Sequence, residues 1–243
     1  MIQPPRSLWW DTRGDDVALR PSLSGHLDVD VVIVGGGFTG LWTARELLER
    51  EPTLRIAVLE SSVCGFGASG RNGGWASALF PVSDDVLAKR YGDDTVTQIH
   101  QQLIAAVTNL GAAFQRDRID ANFVAGGTLT FATTEPQEHR LRAAASSAAE
   151  RGFAAEAQWL SADAASERAR VANSRGALYT PYCARIHPAK AVRGLAQAVE
   201  GAGGVIYENT RVTRIEPGTS RRRPRAVTVG GTVSADFVVR ATE

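Results

Sequence analysis

The hexapeptide GGGFTG at residues 35–40 constrains the fold of this chain more than any other stretch, because it matches the pattern G-x-G-x-x-G. It follows Val29–Val34, a valine-rich run typical of a strand buried on both faces of a parallel sheet. Residues 41–48 then carry apolar side chains at helical spacing, and Pro52 ends that helix. A second β-rich run at 55–60 completes a strand–helix–strand unit. The chain is therefore predicted to be an α/β protein.

This context turns the hexapeptide into a Rossmann-like dinucleotide fingerprint. Gly35 permits the tight turn, Gly37 lets the backbone approach a pyrophosphate, and Gly40 lets the helix pack close to the strand. Glu60 stands 20 residues after Gly40 and can accept hydrogen bonds from ribose hydroxyls, whereas it would repel the 2′-phosphate of NADP. The fingerprint alone leaves NAD, FAD and a plain turn without ligand as alternatives.

The stretch GFGASGRNGGW at 65–75 bears on that choice. Its glycines clear side chains from the backbone, and Ser69, Arg71 and Asn72 are its polar residues. A long flavin dinucleotide needs protein along its ribityl chain and ring, and Arg71 offers a fixed planar cation. In a nicotinamide dehydrogenase the chain usually continues into another crossover helix, so the loop favours FAD. An ordinary surface loop and an NAD-linked dehydrogenase remain alternatives.

The remaining chain suggests an inserted region. Residues 1–27 are predicted to be an irregular lead-in in which Trp9 and Trp10 anchor packing. Residues 79–187 alternate helices with β segments, including a strand pair around Gly126-Gly127, but lack a glycine turn after a strand. From Pro188 onward a helix and further strands restore the α/β pattern.

Composition excludes several classes of partner. The chain has 44% hydrophobic residues, 22% charged residues and a net charge of +1, which gives no reason to expect nucleic acid or a membrane surface. No apolar run approaches the roughly 20 residues that span a bilayer. Only Cys64 and Cys183 are present, which favours a reducing compartment and a cytoplasmic protein. The four histidines have no metal-ligand spacing, so no metal is predicted, and the basic run at 221–225 is interpreted as a solvated hairpin tip.

Several stretches together resemble the N-terminal part of the D-amino-acid-oxidase-like family of FAD-dependent oxidoreductases. They are DVVIVGGGFTGLWTARELLE, VLE and CGFGASGRNGGW, joined by SLWWDT, HPAKAVRGLAQAV, VIYENTRVTRIE and VVRATE. The form ASGRNGG resembles γ-glutamylputrescine oxidoreductases and the related aminophosphonate oxidoreductases. The resemblance implies a Rossmann-like FAD-binding domain at 1–78 and 188–243. It also implies that 79–187 form the first part of an inserted α+β substrate domain, and that the C-terminal part is missing.

The resemblance also implies roles for individual residues. Gly35, Gly37 and Gly40 would hold the FAD pyrophosphate, Glu60 the adenosine ribose, and the backbone of Val212 the adenine. The flavin side would be lined by Ala68, Ser69, Arg71, Asn72, Gly73 and Gly74. Residues 241–242 match the start of a second phosphate-proximal turn, where Glu243 stands in place of the usual glycine. The resemblance implies no catalytic residue, because in this family no side chain needs to act as a strong base if the amine binds in its neutral form.

The implied reaction is oxidation of a C–N bond in an amine or amino acid, a γ-glutamylputrescine-like compound being one candidate. The product is an imine, and dioxygen or another acceptor would reoxidise the flavin. The strand at 237–240 has no helix after it, and family members are longer, so we expect a fragment of a longer product or a decayed form. A truncated, non-catalytic dinucleotide-binding remnant is the alternative from another functional class.

Overall fold

The computed structural model describes residues 6–14 and 19–242, which form two compact units. The first unit comprises the described residues up to Gly74, then Phe114–Asn122 and the chain from His187 onward; the second comprises Trp75–Ala113 and Phe123–Ile186. The predicted split placed 114–122 in the insertion. The structure places this segment in the first unit, where Asp117 accepts two hydrogen bonds from Arg45 at 2.8 and 2.7 Å. The cofactor and substrate roles of the two parts stay predictions.

The strands are β1 (Gly25–Asp28), β2 (Val31–Val34), β3 (Ile56–Leu59), β4 (Trp75–Ser77), β5 (Val124–Ala125), β6 (Thr128–Ala132), β7 (Gln158–Ser161), β8 (Gly176–Thr180), β9 (Cys183–Arg185), β10 (Val205–Tyr207), β11 (Val212–Glu216), β12 (Arg225–Thr228), β13 (Gly231–Ser234) and β14 (Phe237–Arg240). The helices are α1 (Leu8–Asp11), α2 (Phe38–Arg50), α3 (Asp84–Tyr91), α4 (Asp93–Arg116), α5 (Glu135–Glu150), α6 (Ala162–Ser166) and α7 (Pro188–Gly201).

A four-stranded parallel sheet in the order β10-β3-β2-β14 forms the centre of the first unit. Every residue of β2 and β3 is buried, as expected for parallel strands covered on both faces. Helix α2 buries Leu41, Ala44 and Leu48, and α7 begins at Pro188 and buries a longer apolar face. The predicted strand–helix–strand unit is therefore confirmed, and β2 lies between β3 and β14.

A second sheet of the first unit has the order β1-β13-β12-β11. It packs on the parallel sheet through a shared cluster that includes Val32, Ala57 and Val233. The expectation of an irregular lead-in is wrong in part, because residues 25–28 form β1, which pairs in parallel with β13. Residues 8–11 form helix α1, whose N-cap Ser7 accepts a hydrogen bond from the main-chain nitrogen of Trp10. Trp10 is 1% exposed, so its predicted packing role is confirmed.

The second unit contains two three-stranded sheets in the orders β4-β9-β5 and β6-β8-β7. The predicted strand pair around Gly126-Gly127 is wrong, because β5 pairs with β9 while β6 pairs with β8. Gly127 has a φ of +75°, and the chain passes there from one sheet to the other. No helix within 6–14 or 19–242 has the length and apolar content needed to cross a membrane.

Candidate cofactor-binding site

The turn between β2 and α2 tolerates only glycine at its two ends. Gly35 has a φ of +115°, and a Cβ there would lie 2.4 Å from the main-chain oxygen of Ala241. A Cβ on Gly40 would lie 2.0 Å from the main-chain oxygen of Gly35. The backbone therefore packs against itself, which brings the N-terminus of α2 to the carboxyl edge of the sheet. Such an N-terminus favours an anionic group.

Glu60 follows β3 at the same edge of the sheet and is half-buried. Its Oε2 accepts a hydrogen bond from the main-chain nitrogen of Gly36 at 2.8 Å. Its Oε1 accepts from the main-chain nitrogen of Ser62 at 2.8 Å and from the Ser61 hydroxyl at 3.1 Å. A carboxylate has about four acceptor positions, so these contacts fix its orientation and leave capacity for a ribose hydroxyl.

The glycine-rich loop, residues 65–74, folds around Asn72. The Asn72 Nδ2 donates to the main-chain oxygen of Ser69 at 3.0 Å, and its Oδ1 accepts from the nitrogen of Gly74 at 2.9 Å. The Ser69 hydroxyl accepts from the nitrogen of Phe38 at 2.9 Å and so caps α2, whose N-cap residue is a glycine without a side chain. Thus the loop completes the helix N-terminus, a contact that sequence reasoning did not anticipate.

These elements surround a cavity of about 1020 Å³. The predicted residues that line it are Gly35, Gly37, Glu60, Ala68, Ser69, Asn72 and Val212. Four predicted residues do not line it, namely Gly40, Arg71, Gly73 and Gly74. The Arg71 guanidinium instead lies 5.6 Å from the ring centroid of Phe66, and its Nε donates to the oxygen of Gly67 at 3.2 Å. The volume lies at the upper end of the roughly 300–1,000 Å³ typical of small-molecule pockets.

Two lining residues that sequence reasoning missed are Arg211 and Arg240. Arg240 ends β14 opposite Val34, and Arg211 immediately precedes Val212, so both lie next to predicted contacts. The order of parallel strands, had it been known, would have indicated Arg240. Among the described lining residues Glu60 is the one carboxylate, so the charged side chains of this described lining are two guanidiniums and one carboxylate. This charge, the helix N-terminus and the glycine turn fit the diphosphate of a dinucleotide.

Cys64 lies beside the turn but is not suited to covalent attachment of a ligand. It is buried, and this burial raises the pKa of its thiol well above the ordinary range. The thiolate is the nucleophilic form, so the thiol is held unreactive. Its sulfur lies 2.8 Å from the position that a Cβ on Gly36 would take, which makes it a packing residue.

A buried ion cluster ties the loop to the rest of the first unit. Glu208 is fully buried, and its Oε1 accepts hydrogen bonds from the nitrogen of Cys64 at 2.8 Å, from Arg193 at 2.7 Å and from Arg20 at 3.0 Å. Burial alone would raise the pKa of Glu208, but these donors and charges outweigh it and hold the pKa below its usual range. The sequence YENT gives no sign of this role.

His187 caps α7 as a neutral imidazole. Its Nδ1 accepts from the nitrogen of Lys190 at 3.3 Å, so the proton is assigned to Nε2, which lies 3.2 Å from the Thr12 hydroxyl. Burial lowers the pKa of His187, and the Lys190 ammonium lowers it further. Because this pKa is lower in the folded protein, the folded protein binds fewer protons at His187 than the unfolded chain does. The contribution of neutral His187 to the free energy of unfolding is therefore present above the ordinary pKa of 6.5 and is lost as the pH falls below it.

We therefore expect the urea concentration at the midpoint of unfolding to decrease when the pH is lowered from about 7.5 to about 5.5. His187→Asn should make this decrease smaller. Asparagine can cap a helix but does not titrate in this range. The measurement is urea unfolding followed by circular dichroism. His139→Asn makes the same substitution at an exposed position on α5 and supplies the control. An unchanged decrease in His187→Asn would contradict the assignment.

The parallel sheet, the glycine turn and the lined cavity define a Rossmann-type dinucleotide-binding domain. Residues 30–243 match the sequence profile of the family described as FAD dependent oxidoreductase. The chain belongs to this family, whose cofactor is FAD.

Several named relatives agree with this membership. The chain is 34% identical over 229 residues to γ-glutamylputrescine oxidoreductase of Escherichia coli (strain K12), covering 90% of this chain and 50% of that protein. It is 30% identical to glycine oxidase of Geobacillus kaustophilus over 88% of this chain. The crystal structure of glycine oxidase from G. kaustophilus superposes with a TM-score of 0.75 at 29% identity, covering 88% of this chain and 55% of that one. L-amino acid deaminase from Proteus myxofaciens shares the fold, with a TM-score of 0.74 at 20% identity, covering 99% of this chain and 49% of that one. The chain spans about half the length of the curated relatives it matches.

Proposed function

We propose that this protein is an FAD-dependent oxidoreductase that oxidises a C–N bond of an amine or amino acid to an imine. The observation that carries the proposal is the cavity at the carboxyl edge of the parallel sheet, where the glycine turn, Glu60 and two guanidiniums converge. The class of substrate is supported by the names of the relatives, an amine-derived compound in one and glycine in the other.

The chain's own residues would bind and orient the cofactor. The turn at 35–40 would receive the pyrophosphate on the N-terminus of α2, while Glu60 would accept hydrogen bonds from the adenosine ribose. The loop backbone around Ala68 and Asn72 would border the flavin side of the cavity. When bound, FAD would supply the redox chemistry, namely the capacity to accept a hydride equivalent from the substrate carbon. Dioxygen or another acceptor would then take the electrons.

A γ-glutamylputrescine-like substrate is the finer proposal, supported by the 34% identity to the E. coli protein. A panel of amines and amino acids, with detection of peroxide and of reduced flavin, tests both the substrate and the acceptor. We also propose a cytoplasmic location, which the two free, buried cysteines support.

The cofactor assignment is tested by titrating the purified chain with FAD and with NAD. We expect FAD to bind and Glu60→Arg to weaken it by at least about tenfold, because charge-assisted hydrogen bonds to the ribose are lost. Glu51→Arg makes the same charge change at an exposed position after α2 and should leave FAD affinity within about twofold.

Other outcomes favour the alternatives. Binding of NAD without FAD would favour an NAD-linked dehydrogenase. A folded chain that binds neither would favour a non-catalytic remnant. Equal affinity of wild type and Glu60→Arg for FAD would contradict the ribose assignment.

A further inference from the structure

The short helix α1 holds the glycine-rich loop at two points. Trp9 donates a hydrogen bond from its indole Nε1 to the main-chain oxygen of Asn72 at 2.7 Å. The Nε1 of the buried Trp10 lies 2.8 Å from the position that a Cβ on Gly70 would occupy, so the loop backbone rests directly on this ring. Two adjacent indoles thus contact the loop over its second half.

The ring of Trp9 also contacts the N-terminus of α7. It meets the His187 ring edge-on, with centroids 5.1 Å apart and planes at 67°. Helix α7 in turn supports the start of the loop, because the Val192 Cγ1 lies 2.2 Å from the position of a Cβ on Gly65. Trp9 therefore joins the end of the loop to the helix that supports its beginning.

We infer that Trp9 is a positioning residue for the glycine-rich loop, and that its indole N–H fixes the Asn72 carbonyl and with it the flavin side of the cavity. The inference rests on the proposed function for the identity of the ligand, whereas the contact itself needs no ligand. Loss of the N–H should loosen binding of the flavin half of FAD. Binding of the adenosine diphosphate half should be weakened less, because this half is expected on the turn at 35–40 and on Glu60, and the loop reaches that turn through the Ser69 cap on α2.

The variant Trp9→Phe removes the N–H and keeps an aromatic ring against His187. By titration calorimetry we expect its FAD affinity to be about five- to tenfold weaker, as for one lost hydrogen bond, and its ADP affinity to stay within about twofold. Trp42→Phe is the matched control, since Trp42 packs on Phe114 with centroids 6.4 Å apart and does not line the cavity. It should change neither affinity.

Amide hydrogen exchange without ligand provides a second, independent measurement. In Trp9→Phe we expect amides of residues 70–74 to exchange about tenfold faster, with amides of β2 unchanged. If the wild type binds no FAD, the proposed function fails while the exchange result still decides the role of Trp9. Unchanged exchange in the loop, an FAD affinity equal to that of the wild type, or equal weakening of FAD and ADP would each overturn the inference.

Discussion

Glu208→Ala is expected to lower the free energy of unfolding by about 3–5 kcal/mol, because it removes a fully buried carboxylate that accepts hydrogen bonds from two largely buried guanidiniums. Arg20 and Arg193 both donate to Glu208 Oε1, and their side chains are 9% and 8% exposed. The main-chain nitrogen of Cys64 also loses its acceptor. The measurement is equilibrium urea unfolding of the purified variant near neutral pH.

Glu200→Ala is the matched control for this change. Glu200 also pairs with Arg20, at 2.6 Å, but its side chain is 38% exposed. Solvent-exposed pairs contribute about 0–1 kcal/mol, so this variant should unfold close to the wild type. Equal destabilisation by the two substitutions would show that the buried position of Glu208 is not what matters.

Gly40→Ala is expected to destabilise the first unit by about 1–3 kcal/mol or more and to abolish measurable cofactor binding. The added Cβ would lie 2.0 Å from the main-chain oxygen of Gly35 and 3.2 Å from the Ile33 side chain. The first neighbour is backbone and cannot rotate away, so α2 must shift from the sheet. That shift moves its N-terminus from the edge of the cavity. Thermal unfolding and FAD titration give the two readouts.

Gly201→Ala provides the comparison for helical glycines. Gly201 ends α7, and a Cβ there would meet nothing within 4 Å. Alanine has the higher helix propensity, so this variant should be as stable as the wild type or more stable by up to about 1 kcal/mol. A Gly40→Ala variant that binds FAD like Gly201→Ala would contradict the packing argument.

The sequence was sufficient for the part of the fold whose signals are local. The valine run, the spaced glycines and the acidic residue that follows the second strand all lie within residues 29–60, so this short stretch was enough to predict β2, α2, β3 and the place of Glu60. The helix start at Pro188 was equally predictable, because it depends on only a few neighbouring residues.

Features that depend on partners distant in sequence could not be predicted from the sequence. Glu208 became a buried anchor only because Arg20 and Arg193 reach it from other elements. Likewise, Arg240 reached the cavity through the pairing of β14 with β2. Nothing in the pattern around Asp117 predicts its pairing with Arg45, because neither residue carries information on the other.

The place of β2 between β3 and β14 bears on the order in which the chain acquires structure. One edge of β2 pairs with β3, which lies only about 25 residues away in sequence. The other edge pairs with β14 (Phe237–Arg240), which is synthesised after β1 to β13. During translation the nascent chain would carry β2 with an open edge, and Gly35 would have no Ala241 carbonyl to pack against. Closure of so distant a pair is entropically slow. The turn at 35–40, which lies some 200 residues earlier in the sequence, can therefore take its final shape only after β14 has been synthesised.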